Sequence, residues 1–500
     1  MNIKRLNWLK SGMAVGLVLS GVNISGAFQI GALDFNVLTE DPPQVSASAY
    51  KNTDITEVII PDTVINEGVK YAVTRVGGFS NCPNLTTLYL PHTVSEIQNP
   101  TPYDFMGDKS SNFADIEVAA DNPWFSSVDG ILYNKDITEL IFCPYGRKEV
   151  NVPEGVVTVK GSAFSRRPQL ESVILPESLS SIEEYAFNGC VALSAIIFPS
   201  RLKYIGENAF SFCSGLKMDL VLHSGIEYVG EYAFYCCSSL ESLTYFANSP
   251  TLPLLCFSNC TSLKWVKIGP QVNYIDYYAF SGCDRLETVE LSESVTDFPG
   301  SAFSYCHSLR NFIISEANPV LMSENGIVYN KEKSKLYCGP GVVGALTVPE
   351  GIVEIEKGAF MDNTMLTEIT FPSSLVDIDS NAFYNCRNVK KITCFAQTPP
   401  DVGSFALDYD DLKNGSRLPA NVYVPANALE AYRENADWRG FGDRLQAISE
   451  AGIEDVNSAE ETFYEVFSLD GRQVLKAASR DELQGLERGI YIVNGKKMAL

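Results

Sequence analysis

Apolar positions in this chain return at intervals far longer than a helical turn or a strand pleat. The dipeptide Ala-Phe stands at 163–164, 186–187, 209–210, 233–234, 279–280, 302–303, 359–360 and 382–383, with Cys256-Phe257 and Gly78-Phe79 as variants. Phe164, Phe187, Phe210, Phe234, Phe257, Phe280 and Phe303 follow one another at 23 or 24 residues, and Phe360 to Phe383 is again 23. A Cys often lies three residues after the Phe (Cys190, Cys213, Cys237, Cys260, Cys283, Cys306, Cys386), and a Leu three beyond that. Then comes an alternation, as in Leu263-x-x-Val266-x-Ile268 and Leu286-x-x-Val289-x-Leu291. Alternation of this kind is a strand signature. Pro often follows (Pro176, Pro199, Pro270, Pro372), which ends a strand because it has no amide to donate. An apolar pair such as Leu202/Ile205 or Val272/Ile275 completes the unit.

A unit this short has no room for a long helix and cannot bury its own apolar face. Stacked copies can, each position forming a ladder of like residues. The pattern therefore predicts a β-rich solenoid. The ladder also changes the reading of the 13 cysteines. An exported chain suggests disulfides, but residues at one fixed place in a repeat stack on each other as small apolar side chains. A buried thiol ladder is the expectation, and pairing between adjacent coils the alternative. Arg167 and Asn363 occupy the Cys position in their units, which argues that the slot needs shape and not sulfur chemistry.

The combined pattern Leu-x-x-Val-x-Leu-Pro, Leu-x-x-Ile, Ala-Phe-x-x-Cys resembles the BspA-like, or Treponema pallidum type, leucine-rich repeats over about residues 55–447. The resemblance implies a right-handed superhelix of ~23-residue coils with short strands and few helices. Asn122-Pro123 and Asp129-Gly130-Ile131-Leu132-Tyr133-Asn134-Lys135 recur 196 residues later as Asn318-Pro319 and Asn325-Gly326-Ile327-Val328-Tyr329-Asn330-Lys331. Each segment, near 120–145 and 316–341, is predicted to be a β-hairpin inserted in a coil and turning at Asn-Lys. Thr398-Pro399-Pro400, Val422-Tyr423-Val424-Pro425, Tyr432, Trp438 and Phe441 resemble the terminal coil of such arrays, a cap over 395–447, with residues 28–54 capping the other end.

The two ends read differently. Lys4, Arg5 and Lys10, the apolar run Gly12–Val22 and the small residues Ser25-Gly26-Ala27 make residues 1–27 a signal peptide, with an uncleaved anchor as the alternative. Residues 448–460 are a polar linker. Residues 461–500 carry strand-like runs at 463–467 and 489–493 and an Asp470-Gly471 turn signal. They are similar to C-terminal sorting domains of the type IX secretion system. That similarity implies a Gram-negative bacterium of the Bacteroidetes type, interaction with its outer-membrane secretion machinery, and a protein that is secreted or held at the outer cell surface. A small stabilising β domain is the alternative.

Composition narrows the partners. A net charge of −23 disfavours nucleic acid and anionic membrane. No segment after the first is apolar enough to cross a bilayer. Only His92, His223 and His307 could supply imidazole, and none has metal-ligand spacing. Cys306-His307 is no nucleophile–base pair if Cys306 belongs to the ladder. Cys256 and Cys260 read as a repeat variant and a ladder member, and Asp408, Asp410 and Asp411 as a solvated loop. No enzyme, cofactor or metal is expected. The x positions of the strand must face solvent and form a recognition surface, where Trp265 is the first choice as an anchor. Its companions are Lys267, Glu290, Tyr245, Glu368 and Lys391, with Trp265 packing on Glu241 or Tyr245 if it is structural. Ile174 and Ile197, on adjacent coils, read as β-propensity choices. The resemblance implies a non-catalytic binding or adhesion module for an extracellular protein. The alternatives are glycan or nutrient capture at the outer membrane, which needs further exposed aromatics around Trp265, or a structural envelope protein.

Overall fold

The structure is a computed structural model. It describes residues 26–49, 54–79, 82–98, 112–409 and 416–448, and the strands Tyr464–Ser468, Gln473–Ala478, Ile490–Val493 and Lys496–Ala499. It is a β-solenoid with ~23-residue spacing and almost no helix. Residues 1–25, Asp410, Asp411 and Asp470-Gly471 lie outside the described residues. The chain divides into two compact units, Met1–Leu263 and Lys264–Leu500.

The first unit opens on a sheet of Ala27–Ile30, Leu33–Glu40, Pro43–Ser48, Val69–Val76 and Thr63–Asn66, with Phe35, Val45, Ala47 and Val73 buried against it. The coils follow, and each makes two strand contacts. One row runs parallel through Glu139–Phe142, Thr158–Val159, Ser181–Ile182, Tyr204–Ile205 and Tyr228–Val229. Separate strands form the other row, Glu149–Asn151 on Ser172–Ile174 and Asp219–Leu222 on Ser242–Tyr245.

At the third corner the Ala-Phe dipeptide does two jobs. The Phe rings of successive coils stack face to face, Phe164 to Phe187 at 4.7 Å and 6°, Phe187 to Phe210 at 4.9 Å and 5°, and Phe210 to Phe234 at 5.3 Å and 4°. The Phe amide donates to the Ala carbonyl one coil on, at 2.7 Å for Phe164, Phe187 and Phe210. The residues two before and two after the Phe are left-handed, as at Ser162 and Arg166, Asn208 and Phe212, and Tyr232 and Cys236. That backbone aims alternate amides along the stack, Ser162 N–H to Glu184 O at 3.0 Å and Arg166 N–H to Asn188 O at 2.6 Å. Each such non-Gly residue costs about 1–3 kcal/mol, which the surrounding ladder must offset.

The cysteine slot corrects one expectation. No disulfide joins any of the 13 cysteines, and all but the half-buried Cys236 are buried. Their thiols, however, are hydrogen-bond donors as well as spacers. Cys190 Sγ donates to Phe164 O at 3.0 Å, Cys213 to Phe187 O at 3.0 Å, Cys237 to Phe210 O at 3.2 Å, Cys306 to Phe280 O at 3.1 Å and Cys386 to Phe360 O at 3.1 Å. The two substitutes keep a donor. Arg167, fully buried, donates from Nε to Cys143 O at 2.6 Å and lies over the Phe142 and Tyr145 rings at 4.7 and 4.0 Å. Asn363 Nδ2 donates to Val342 O at 2.9 Å. The slot selects a donor that can reach a buried carbonyl, because an unpaired carbonyl there would cost about 1–3 kcal/mol.

Each insertion is a three-stranded antiparallel meander, one strand more than the expected hairpin. Phe125–Val128 pairs with Ile131–Asn134, which pairs with Glu139–Phe142. In the second unit Leu321–Glu324, Ile327–Asn330 and Lys335–Cys338 repeat it. The extra turn is Asp129-Gly130, with φ 47° and 73°, matched by Asn325-Gly326 at 51° and 75°. Two positive φ values in a row define the tight hairpin turn whose twist suits antiparallel strands. A buried Asn anchors each meander. Asn122 Nδ2 donates to Pro91 O (2.8 Å) and Val94 O (2.9 Å), and its Oδ1 accepts from the Trp124 and Phe125 amides at 2.8 Å. Asn318 makes the corresponding four bonds to Ser292, Val295, Val320 and Leu321.

In the second unit Gly300 N–H donates to Lys357 O at 2.9 Å, so the coil of Phe303 meets the coil of Phe360 although 57 residues separate them in sequence. A Cβ on Gly300 would lie 2.5 Å from Ala359 Cα, so only glycine fits this approach. The unit's main row is Gly344–Thr347, Leu366–Phe371, Lys391–Cys394, Asn421–Val424 and Leu445–Ala447. Near its end the helix Leu429–Glu434 brings Tyr432 beneath the coil, where its hydroxyl donates to Ala396 O at 2.9 Å. Trp438 is fully buried and its indole N–H donates to Pro400 O at 2.8 Å. In the tail the order is Gln473–Ala478, Tyr464–Ser468, Ile490–Val493, Lys496–Ala499, all antiparallel.

Two outcomes follow from the corner. Phe210→Ala should lower unfolding stability by about 3–5 kcal/mol, while Phe212→Ala, at an exposed position two residues on, should stay within about 0.5 kcal/mol, both read by denaturant unfolding of the full chain. Burial pushes the ladder thiols Cys213 and Cys237 well up, and the buried Cys143 to about 12, while Cys236 is only partly covered. A thiol reagent applied to the folded protein at pH 8 should therefore modify Cys236 first and leave the ladder cysteines unreacted until denaturant is added; rapid native labelling of Cys213 or Cys237 would contradict this.

Candidate functional site

The residues expected on the strand face fall into separate groups. In the second unit Trp265–Ile268 runs parallel to Thr288–Leu291, with Lys267 opposite Glu290. The Trp265 indole N–H donates to Glu290 Oε1 at 3.0 Å, and Lys267 Nζ lies 3.2 Å from Glu290 Oε2. Trp265 is half-buried by this contact, so its polar edge and both charges are already satisfied. Farther along, Lys391 and Glu368 are register partners 3.9 Å apart, and Lys391 Nζ lies 6.0 Å from the centre of the Tyr423 ring. An exposed pair of this kind is worth at most about 1 kcal/mol.

Tyr245 is a correction. It is fully buried, edge-on to Phe257 at 6.2 Å, because it occupies the last inward position of Ser242–Tyr245, where other coils carry Leu or Ile. Its hydroxyl finds no hydrogen-bond partner and burial holds its pKa well up. It cannot meet a ligand on the surface. The expected structural contact of Trp265 also differs, since its bonded partner is Glu290. His307 lies 2.8 Å from Asp284, its other ring nitrogen facing Asp362 O at 3.4 Å, and Cys306 points into the core. Asp408 pairs with Arg417 at 3.1 Å. Among the described residues no group of three or more His, Cys, Asp or Glu could hold a metal ion, and no helix is long and apolar enough to cross a membrane.

Aliphatic side chains also face solvent. In the first unit the x position before the last inward residue carries Ile174, Ile197 and Val221 on successive coils, 64, 84 and 52 % exposed. These three side chains hold one repeat position on successive coils, with Ser172 and Asp219 two residues before Ile174 and Val221 on the same outward side. Contiguous exposed apolar surface of this sort marks interaction sites in soluble proteins. The signal was present in the repeat, where one outward slot is β-branched three times running.

A second surface in the same unit had no counterpart in the sequence reading. In the other strand row Tyr204 and Tyr228 are register partners whose rings stack at 4.8 Å and 8°. A notch beside them is lined by Gly161, Ser162, Ser181, Glu183, Glu184, Tyr185 and Tyr204. Burial, then the neighbouring tyrosine and glutamates, raises the hydroxyl pKa of Tyr204; burial, then Glu207, Glu231 and Glu184, does the same for Tyr228.

The fold and its stacked Leu, Phe and Cys positions define a leucine-rich repeat solenoid. The model of the BspA type leucine rich repeat region matches residues 43–101, 135–254, 227–330 and 333–424, and the chain belongs to this family. Similar solved structures include a leucine rich cell surface protein from Faecalibacterium prausnitzii (23% identity, 59% of this chain and 96% of that one, TM-score 0.31). Another is a leucine-rich repeat protein from Bacteroides ovatus (21% identity, 84% and 99%, TM-score 0.34). A third is the T. pallidum leucine rich repeat protein (21% identity, 51% and 88%, TM-score 0.23). No curated protein matches the chain. Solenoids of this class are typically non-catalytic binding modules, and BspA-like proteins are typically surface or secreted.

Glu290→Ala should release Trp265. The expected result is greater quenching of its fluorescence by acrylamide, with unfolding stability changed by less than about 1 kcal/mol, measured against a Trp265→Phe background that accounts for the other three tryptophans, Trp8, Trp124 and Trp438.

Proposed function

We propose that the protein is a secreted or cell-surface binding module that docks an extracellular protein on the strand face of its first unit. The observation that carries this is the exposed stripe of Ile174, Ile197 and Val221. Three large aliphatic side chains held rigidly in water are costly unless something covers them, and burying one gives about 1.5–3 kcal/mol. The Trp265 group supports glycan capture less well. A sugar platform needs an open indole with aromatic company, whereas this indole is tied to Glu290 and shares its outward column with Thr288 and Asn311. Glu368 and Lys391 likewise answer each other across the strands.

The signal-like residues 1–27 and the tail resembling a type IX sorting domain support export through the outer membrane of a Gram-negative bacterium. Deleting residues 461–500 should leave the protein in the periplasm, as judged by fractionation and surface protease shaving; undiminished surface display would refute the sorting role. For the docking face, the full chain should bind at least one purified extracellular-matrix protein saturably, and Ile174→Asp with Ile197→Asp should abolish that binding while circular dichroism and melting stay unchanged. Retained affinity in that variant, or binding confined to glycans on an array, would overturn the assignment.

A further inference from the structure

We infer that the stacked pair Tyr204 and Tyr228, with the carboxylates of Glu184, Glu207 and Glu231 beside it, is a second docking surface that takes an extended, lysine- and arginine-rich segment of a protein partner. It lies on a different strand row from the aliphatic stripe, and neither surface depends on the other. The three glutamates occupy one repeat position, three residues before the Phe, on three successive coils. They are exposed, and none forms an ion pair among the described residues. Other acids of this unit, Glu117, Asp121 and Asp136 among them, also form no ion pair among the described residues; what marks these three is their recurrence at one repeat position beside a tyrosine stack. Glu183, next in sequence, is held by Lys160 at 2.8 Å and accepts the Gly161 amide at 2.9 Å, and Glu227 is held by Lys203 at 2.8 Å.

Stacking sets these like charges on adjacent coils, whose backbones lie about 4.8 Å apart, so they repel. The coils approach closely here: a Cβ on Gly206 would lie 2.5 Å from Glu184 N, and one on Gly230 2.4 Å from Glu207 N. The backbone therefore holds the three glutamate positions in register along the stack. The tyrosines beside it add a surface of matching chemistry. Tyr228 is 41 % and Tyr185 44 % exposed, and an aromatic face attracts a lysine or arginine head group as a carboxylate does. Ser181, the register partner of Tyr204, is small and opens the notch at the end of the stack. A neutral sugar can donate hydroxyls to the carboxylates but leaves their charge uncompensated, and an anionic one would be repelled. An extended basic chain crossing the coils meets a carboxylate at each step and can lay cationic heads on the rings.

The test uses the full chain and a synthetic peptide of alternating lysine and serine, with an alternating glutamate and serine peptide as control, in low salt. Binding of the basic peptide alone is expected, weakening as salt rises because the contacts are exposed. Glu184→Gln, Glu207→Gln and Glu231→Gln together should weaken it by at least about tenfold, as should Tyr204→Ala with Tyr228→Ala, whereas Tyr204→Phe with Tyr228→Phe should retain it because the rings remain. The net charge of −23 makes a site-blind attraction the rival account. A charge-matched variant (Glu117→Gln, Asp121→Asn, Asp136→Asn) that lost as much affinity as the glutamate triple would overturn the proposal, as would undetectable binding or an unaffected tyrosine double alanine variant. The Ile174→Asp, Ile197→Asp variant should bind the peptide normally, so failure of the aliphatic docking face and failure of this surface give different results.

Discussion

The Phe corner is the interaction on which the coils depend. Strand rows such as Thr158–Val159 and Ser181–Ile182 are only two residues long, too short to hold neighbouring coils in register unaided. The corner adds a ring stack, an amide from Phe to the next Ala, and further amides from the flanking left-handed residues. Those left-handed positions are occupied by Tyr, Phe, Cys and Leu as well as Asn and Gly. Bulky residues rarely adopt that conformation, because their Cβ crowds the backbone. The strain persists because releasing it in one coil would break bonds to the next. Local conformational cost is thus exchanged for inter-coil bonding, and stability becomes a property of neighbours, as expected for a quasi-one-dimensional array.

The thiols close the same corner from inside. Phe uses its amide to bond forward along the stack, and its carbonyl accepts the thiol of the following coil. Sulfur is a weak donor, yet it fits a space bounded by aromatic rings without carrying much polar surface. Arg167 and Asn363 show the same need met by other chemistry. Among the described residues no carboxylate pairs with Arg167; Cys143, Ser165 and Ala163 carbonyls and two aromatic faces surround its guanidinium. A buried charge is costly unless it is paired or fully hydrogen-bonded, and here carbonyl dipoles and ring faces take that part.

Much of this was legible because repetition makes inward positions visible. The Phe, Leu and Ile ladders and the 196-residue spacing of the insertions read directly from letters, since any position that recurs in register must meet its own copy. What one letter bonds to was not legible. The cysteines announced burial but not donation, because the accepting carbonyl belongs to the backbone and leaves no trace in the sequence. Tyr245 was misplaced because a tyrosine suggests surface, while its slot in the alternation is an inward one shared with Leu222 in the preceding coil. Trp265 was rightly placed on the outward face, but its availability depended on Glu290, a coil away and indistinguishable in sequence from other exposed acids.

The same limitation explains why Ile174 and Ile197 read as β-propensity choices and why the tyrosine and glutamate surface left no signal in the sequence. An inward ladder is conspicuous since identical residues must stack, whereas outward slots vary freely and each choice looks arbitrary in isolation. Meaning appears when neighbouring slots are compared for what they fail to satisfy. Lys267 and Glu290, or Lys160 and Glu183, neutralise each other across coils, which is what a surface with no partner would be expected to do. Ile174, Ile197 and Val221 stay largely exposed, and Glu184, Glu207 and Glu231 form no ion pair among the described residues. In a scaffold whose register is fixed from within, side chains left unsatisfied on adjacent coils carry a standing cost that a complementary partner would remove. Recurrence of such side chains at one slot, and not the prominence of a single tryptophan, is the ground on which the first unit's two surfaces are proposed as docking faces.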